Sequence, residues 1–151
     1  AQGRLARARS PRPSRERSLR ILLAEENIVN QRVARGILGN AGHVVSVASN
    51  GLEALAAIER GIFDVLLLDL QMPVISGLEV LATLRGRERH VGGHLPIITL
   101  TAHALKGDRE QFLAAGADGY VSKPISRDAL FDELDYVLLA HTADHVETPR
   151  A

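Results

Sequence analysis

Asp69 closes an unbroken apolar run, Asp64-Val65-Leu66-Leu67-Leu68-Asp69. Three other apolar runs also end in groups capable of chemistry. Ile21-Leu22-Leu23-Ala24 leads into Glu25 and Glu26, Ile97-Ile98-Thr99-Leu100 into Thr101, and Gly119-Tyr120-Val121-Ser122 into Lys123-Pro124. In an open parallel sheet the C-terminal ends of the strands share one edge, and ligands bind in the crevice there. Three acids, a hydroxyl and an ammonium from distant parts of the sequence are therefore expected at one place. Glu26 and Asp69 offer hard oxygen ligands to Mg²⁺, the backbone carbonyl of Gln71 offers a third, and Glu25 could hold a metal-bound water. A carboxylate facing such an ion is a candidate nucleophile toward phosphorus, giving an aspartyl phosphate. The transferred group spreads charge over three oxygens, which Lys123 and the Thr101 hydroxyl are placed to meet.

The elements that must position these groups alternate along the chain. Strands are predicted at 19–24, 43–48, 65–68, 96–100 and 118–122. Helices are predicted over 27–39, with Val29, Val33 and Ile37 at helical spacing and Ala34 and Leu38 beside them; over 51–60, capped by Asn50; from Ser76 or Gly77 through Leu84; over 104–115; and from a Ser126 cap with Ala129, Leu130, Leu134, Val137 and Leu138 inward. A charged, glycine-rich connection is expected over 85–94. The unbroken apolar run at 65–68 suits a central strand buried on both faces. Alternating strand and helix without an internal repeat predicts an α/β fold, the flavodoxin-like (βα)5 doubly wound parallel sheet with strand order 2-1-3-4-5.

Composition sets the bounds. The 151 residues suffice for one domain with a real core, and with aromatics at only 3% that core must be aliphatic. The absence of cysteine excludes a disulfide scaffold, a thiolate zinc site and thiol catalysis. No apolar run approaches the ~18 residues needed to span a bilayer, and no signal peptide is legible. A net charge of zero hides an asymmetry. Residues 1–20 carry seven Arg against one acid, a balance of +6, so the remainder carries −6. An acidic globular part does not suit nucleic-acid binding. The expected domain organisation is a flexible basic linker at 1–17, a globular domain at 18–140 and a disordered tail at 141–151. The chain opens on Ala rather than Met, as expected of a processed protein or of a piece of a longer one.

From about Ser18 to Leu139 the chain resembles the receiver domain of two-component response regulators. The carriers are Leu22-Leu23-Ala24-Glu25-Glu26-Asn27, Leu68-Asp69-Leu70-Gln71-Met72-Pro73, Thr101-Ala102 and Ser122-Lys123-Pro124, four motifs in order at strand ends. The resemblance implies a CheY-like fold in which Asp69 accepts phosphate from a phosphohistidine. It implies Mg²⁺ held by Glu25, Glu26, Asp69 and the Gln71 carbonyl, and a phosphoryl group contacted by Thr101 and Lys123. Tyr120 becomes an aromatic switch that follows Thr101. Glu26-Asn27-Ile28-Val29-Asn30-Gln31 and Ala102-His103-Ala104-Leu105-Lys106-Gly107-Asp108 look like receivers fused to hybrid sensor histidine kinases. The implied partners are a histidine kinase domain or a histidine phosphotransfer protein, with no nucleic acid and no membrane contact by this segment, in the cytoplasm. The domain is then a phosphoacceptor rather than a turnover enzyme. One position departs from the family, which usually carries Asp where this chain has Glu26. The longer acid is expected to weaken Mg²⁺ binding or push the loop outward.

Two other functions compete. A haloacid dehalogenase-type phosphotransferase also uses a strand-end Asp with Mg²⁺, but needs a second Asp two residues on, where this chain has Gln71. A receiver-like interaction domain without phosphorylation keeps the fold and drops the chemistry. Gln71 and His103 flank the expected phosphoryl position as modulators. His90 and His94, and His141 and His145, are four residues apart, a metal-binding spacing only on a helix. Gly92-Gly93 argues against a helix for the first pair and the expected tail against one for the second, so all four are expected to face solvent.

Overall fold

The apolar runs assemble into one parallel sheet in a computed structural model that describes residues 17–102 and 108–147. Its strands are β1 (Arg20–Ala24), β2 (Val44–Ala48), β3 (Val65–Asp69), β4 (Ile97–Thr101) and β5 (Gly119–Ser122). They lie in the order β2-β1-β3-β4-β5, with every pairing parallel. The helices between them are α1 (Ile28–Asn40), α2 (Gly51–Arg60), α3 (Gly77–Val91), α4 (Asp108–Ala114) and α5 (Arg127–Glu147). The architecture is the expected doubly wound sheet. All five residues of β3 and all five of β4 are buried, as strands covered on both faces must be.

Alternation along the strands divides the core in two. Ile21, Leu23, Val65, Leu67, Ile98 and Leu100 face α1 and α5, where Ala34, Leu38, Leu130, Phe131 and Leu134 complete an aliphatic layer. Leu22, Leu66, Leu68 and Ile97 face the opposite side, against Ala54 and Leu55 of α2 and Val80, Leu81 and Leu84 of α3. Helix starts follow their caps. The Asn27, Asn50 and Ser76 side chains accept from the backbone N–H groups of Asn30, Glu53 and Glu79, and Ser76 with Glu79 forms a full capping box. The Ser126 hydroxyl accepts from the Ala129 N–H at 3.2 Å, as expected at the start of α5.

Four expectations change. On α1 the buried residues are Ala34 and Leu38, with Ile37 partly buried against the same layer, whereas Val29 is 66% and Val33 42% exposed. Small Ala34 lets the helix approach the sheet, which rotates the larger valines outward. Ala129 of α5 is exposed as well. Helix α3 continues to Val91 through most of the expected connection. Arg85 pairs with Glu88 at i,i+3 and Arg87 reaches Glu59 of α2, and Gly92 ends the helix with φ 86°. Helix α5 runs to Glu147, well into the stretch expected as a tail. The linker expected at 1–17 lies, but for its last residue, outside the described residues; Arg17 reaches Asp64 at 3.5 Å.

The loop after β3 returns tightly. The Gly77 N–H donates to the Leu70 carbonyl at 3.0 Å, and a Cβ on Gly77 would meet the Asp69 carbonyl and lie 2.6 Å from Leu70 Cα. Both are backbone atoms that cannot step aside. Gly77→Ala is therefore expected to cost about 1–3 kcal/mol of unfolding free energy, read from urea denaturation. An unchanged midpoint would show that the loop can open without penalty.

Candidate functional site

The sheet register explains why the acids meet. Ala24 pairs with Leu68, so Glu25 leaves β1 level with Asp69 at the end of β3. Thr101 pairs with Ser122, so Lys123 leaves β5 one step beyond Thr101, and its N–H donates to the Thr101 carbonyl at 2.7 Å. Lys123 crosses back from there to the middle of the sheet. Its Nζ donates to Asp69 Oδ2 at 3.0 Å and forms an ion pair with Glu25 Oε1 at 2.9 Å. Glu25 is only 1% exposed and Asp69 only 4%.

Each acid is fixed by its own backbone surroundings. Asp69 Oδ1 accepts the Gln71 N–H at 3.0 Å. Glu25 Oε2 accepts the Asn27 N–H at 3.0 Å, and the Glu25 carbonyl accepts Gln31 Nε2 at 2.6 Å. Glu25 Oε1 is buried with no hydrogen-bond partner, because its contact with Lys123 has the distance of an ion pair but not hydrogen-bond geometry. Burial pushes the Asp69 carboxyl above the usual carboxylate range. The Gln71 N–H and the Lys123 contact pull it part of the way back, and the charge of Glu25 adds to the rise. Lys123 moves upward from the usual lysine range. Burial opposes its charge, but the Glu25 and Asp69 carboxylates together outweigh that effect.

The structure thus brings Glu25, Asp69 and Lys123 into contact. Thr101 is buried at the adjoining strand end, at 6% exposure. Glu26 is exposed one residue past Glu25. Tyr120 is half-buried toward α4, its ring 6.1 Å from that of Phe112 and under the Arg109 guanidinium at 5.1 Å. Its N–H donates to Glu133 of α5 at 2.9 Å. His103 lies outside the described residues.

Among the described residues no three acidic or histidine side chains converge as a ready-made cation cage. The donor set nevertheless fits a hard divalent ion. Three carboxylates against one ammonium leave the edge negative, all the donors are oxygens, and one of them, Glu25 Oε1, is buried without a hydrogen bond.

Two features escaped sequence reasoning. Val74, in the loop after Asp69, sits at φ 74°, a left-handed conformation that costs a β-branched residue on the order of 1–3 kcal/mol. Nothing in Met72-Pro73-Val74-Ile75 signals it. The second is at the opposite edge of the sheet. There Arg85 donates through Nε to the Gly116 carbonyl, through Nη1 to Glu88 and the Leu95 carbonyl, and through Nη2 to Asp118, all at 2.8–2.9 Å. His94 shares Asp118 at 2.8 Å and stacks on His141 of α5, with ring centroids 6.1 Å apart. His94 still faces solvent, as expected, with its side chain 44% exposed, but both histidines also make contacts that the spacing did not signal.

Residues 21–135 match the response regulator receiver domain. The chain is 40% identical over 121 residues to hybrid signal transduction histidine kinase I of Dictyostelium discoideum; the match covers 77% of this chain but only 7% of that much longer protein. Among solved structures it is similar to the receiver domain of sensor histidine kinase PA1611 from Pseudomonas aeruginosa, described with a magnesium ion coordinated in its active site cleft. The TM-score there is 0.71 at 38% identity, covering 81% of this chain and 98% of that one. It is also similar to a co-crystal structure of the Saccharomyces cerevisiae histidine phosphotransfer signaling protein Ypd1 with the receiver domain of its downstream response regulator Ssk1. That match has a TM-score of 0.76 at 26% identity, covering 82% and 91%.

Proposed function

Since this chain belongs to the response regulator receiver family and is a receiver domain of two-component phosphorelay signalling, we propose that Asp69 is the residue that takes the phosphoryl group, from a phosphohistidine donor. The observation that carries the assignment is the Glu25–Lys123–Asp69 contact: one ammonium shared by two buried carboxylates at the end of the central strand. An Asp69 oxygen attacks phosphorus, the phosphorus–nitrogen bond of the donor breaks, and the imidazole nitrogen leaves with the bonding pair. Lys123 then exchanges its contact with the carboxylate for one with a phosphoryl oxygen, and the Thr101 hydroxyl supplies a second donor. A divalent cation, Mg²⁺ by the chemistry of the donors, would be held by Glu25, Glu26, Asp69 and the Gln71 carbonyl. When bound it neutralises charge on the transferred group. Movement of Thr101 toward the new charge is passed to Tyr120, whose packing on Arg109 and Phe112 would change with it.

The donor is a histidine phosphotransfer protein or a kinase domain that docks on α1. Ile28, Val29 and Val33 form an apolar patch there, 59%, 66% and 42% exposed, on the helix that begins beside Glu25 and Glu26. An apolar patch rimmed by polar residues marks a protein contact. Because the match covers so little of the Dictyostelium kinase, attachment to a histidine kinase is part of this proposal, as is a cytoplasmic location; among the described residues no helix is long and apolar enough to cross a membrane.

The test is intact mass after incubation with acetyl phosphate and Mg²⁺, repeated with a phosphorylated histidine phosphotransfer protein as donor. One phosphoryl group, removed by hydroxylamine as an acyl phosphate is, is the expected result. Val29→Glu should slow the protein donor and leave acetyl phosphate labelling unchanged. A chain that takes no label from either donor would be an interaction domain only.

A further inference from the structure

Glu25 and Glu26 are neighbours of the same residue type in opposite situations. Glu25 is tied at four points: its N–H donates to the Ala48 carbonyl at 3.0 Å, its carbonyl accepts Gln31, Oε2 accepts the Asn27 N–H, and Oε1 meets Lys123. It cannot turn to suit an ion. Glu26 is exposed and forms no hydrogen bond or ion pair among the described residues, and its carboxylate stands two methylenes from the backbone. A cation held beside Asp69, next to the Lys123 ammonium that already bridges Asp69 and Glu25, would thus find one rigid carboxylate in Glu25 and one adaptable carboxylate in Glu26.

Ions differ in what they ask of such a pair. Mg²⁺ demands a near-ideal octahedron with oxygens at about 2.0–2.1 Å, whereas larger ions accept displaced ligands. A long, unheld side chain must also give up rotamer freedom to act as a ligand, more so when the geometry is strict. We infer that Glu26 determines cation choice at this site: its length and freedom make the site permissive toward Mn²⁺ at the expense of Mg²⁺. The inference rests on the proposed cation role at Asp69.

Calorimetric titration of the full chain with MgCl2 and MnCl2, with no phosphodonor present, tests it. The proteins compared are the natural one and its Glu26→Asp, Glu26→Gln and Asp69→Asn variants. Glu26 is exposed, so its substitutions open no core. Glu26→Asp is expected to tighten Mg²⁺ about threefold while moving Mn²⁺ much less, so that the ratio of the two dissociation constants shifts toward Mg²⁺. Glu26→Gln, which keeps the length and removes the charge, is expected to weaken both ions by roughly tenfold. Equal shifts for the two ions in Glu26→Asp, or full affinity in Glu26→Gln, would overturn the inference. Binding lost in Asp69→Asn but indifferent to Glu26 would overturn it while leaving the proposed cation role standing. No saturable binding of either ion by the natural protein would overturn both.

Discussion

Asp69→Asn is expected to reduce covalent labelling from acetyl phosphate to background while leaving the fold intact. The carboxamide matches the carboxylate in shape, still accepts the Gln71 N–H, and is no nucleophile toward phosphorus. Stability should survive because the carboxylate is not there for stability. Its folded pKa is raised, first by burial, so its contribution is fully present below the usual carboxylate range and is lost as pH rises through the raised value. A neutral Asn escapes that loss at neutral pH, and Lys123 keeps Glu25 as its partner. Lys123→Ala makes the contrast. It leaves two buried carboxylates without their shared counter-ion, so it should lower stability and still permit labelling, while uncoupling the label from any change in partner affinity. The lysine pKa is raised above its usual range, so that stabilisation is present at neutral pH and disappears only as an alkaline pH passes through the raised value. Intact mass and the unfolding midpoint, measured on each variant, check both statements. Label retained on the Asn protein would remove Asp69 from the mechanism.

Arg85→Ala is expected to produce the largest loss of stability of any single substitution considered, about 3–5 kcal/mol. The guanidinium side chain is 11% exposed, and its partners Glu88 and Asp118 are 18% and 28% exposed. Removing it strands two largely buried carboxylates and leaves the Gly116 and Leu95 carbonyls without their donor. Arg85→Lys restores charge but not the planar fork that reaches four acceptors at once, so it should recover only part of the loss. Urea denaturation measures it, and a change below about 0.5 kcal/mol for Arg85→Ala would show the network to be ornamental. The fraction that remains folded should label normally at Asp69, because the network lies at the opposite edge of the sheet.

The two substitutions also mark where the sequence was legible. Asp69, Glu25, Thr101 and Lys123 each follow an apolar run, and parallel topology alone brings strand ends together, so their proximity could be read from spacing. Periodicity identified every strand and helix in order. It did not rank two adjacent glutamates: only the register, with Ala24 opposite Leu68, decides that Glu25 turns in and Glu26 out. Nor did it rank the apolar residues of α1, where Ala34 and Leu38 are buried and Val29 and Val33 are not, because small residues carry little weight in such patterns although they set how closely a helix packs. Arg85 sat in a segment that composition marks as a surface connection. Its four acceptors come from α3, the loop before β4 and the loop before β5, and no local pattern links them.

All five strands point one way, so β1 begins at the edge opposite Asp69, and α5, starting beside Lys123, runs back toward that same edge. At about 1.5 Å per residue, its 21 residues form a stalk about 30 Å long. Chain attached before Arg20 or after Glu147 would therefore hold the domain by one pole and leave the reactive pole facing away from its mooring. A pendant of this kind meets a tethered donor at a rate governed by how far its anchor can reach, so lengthening or stiffening the attachment would tune phosphoryl traffic without altering a single atom around Asp69.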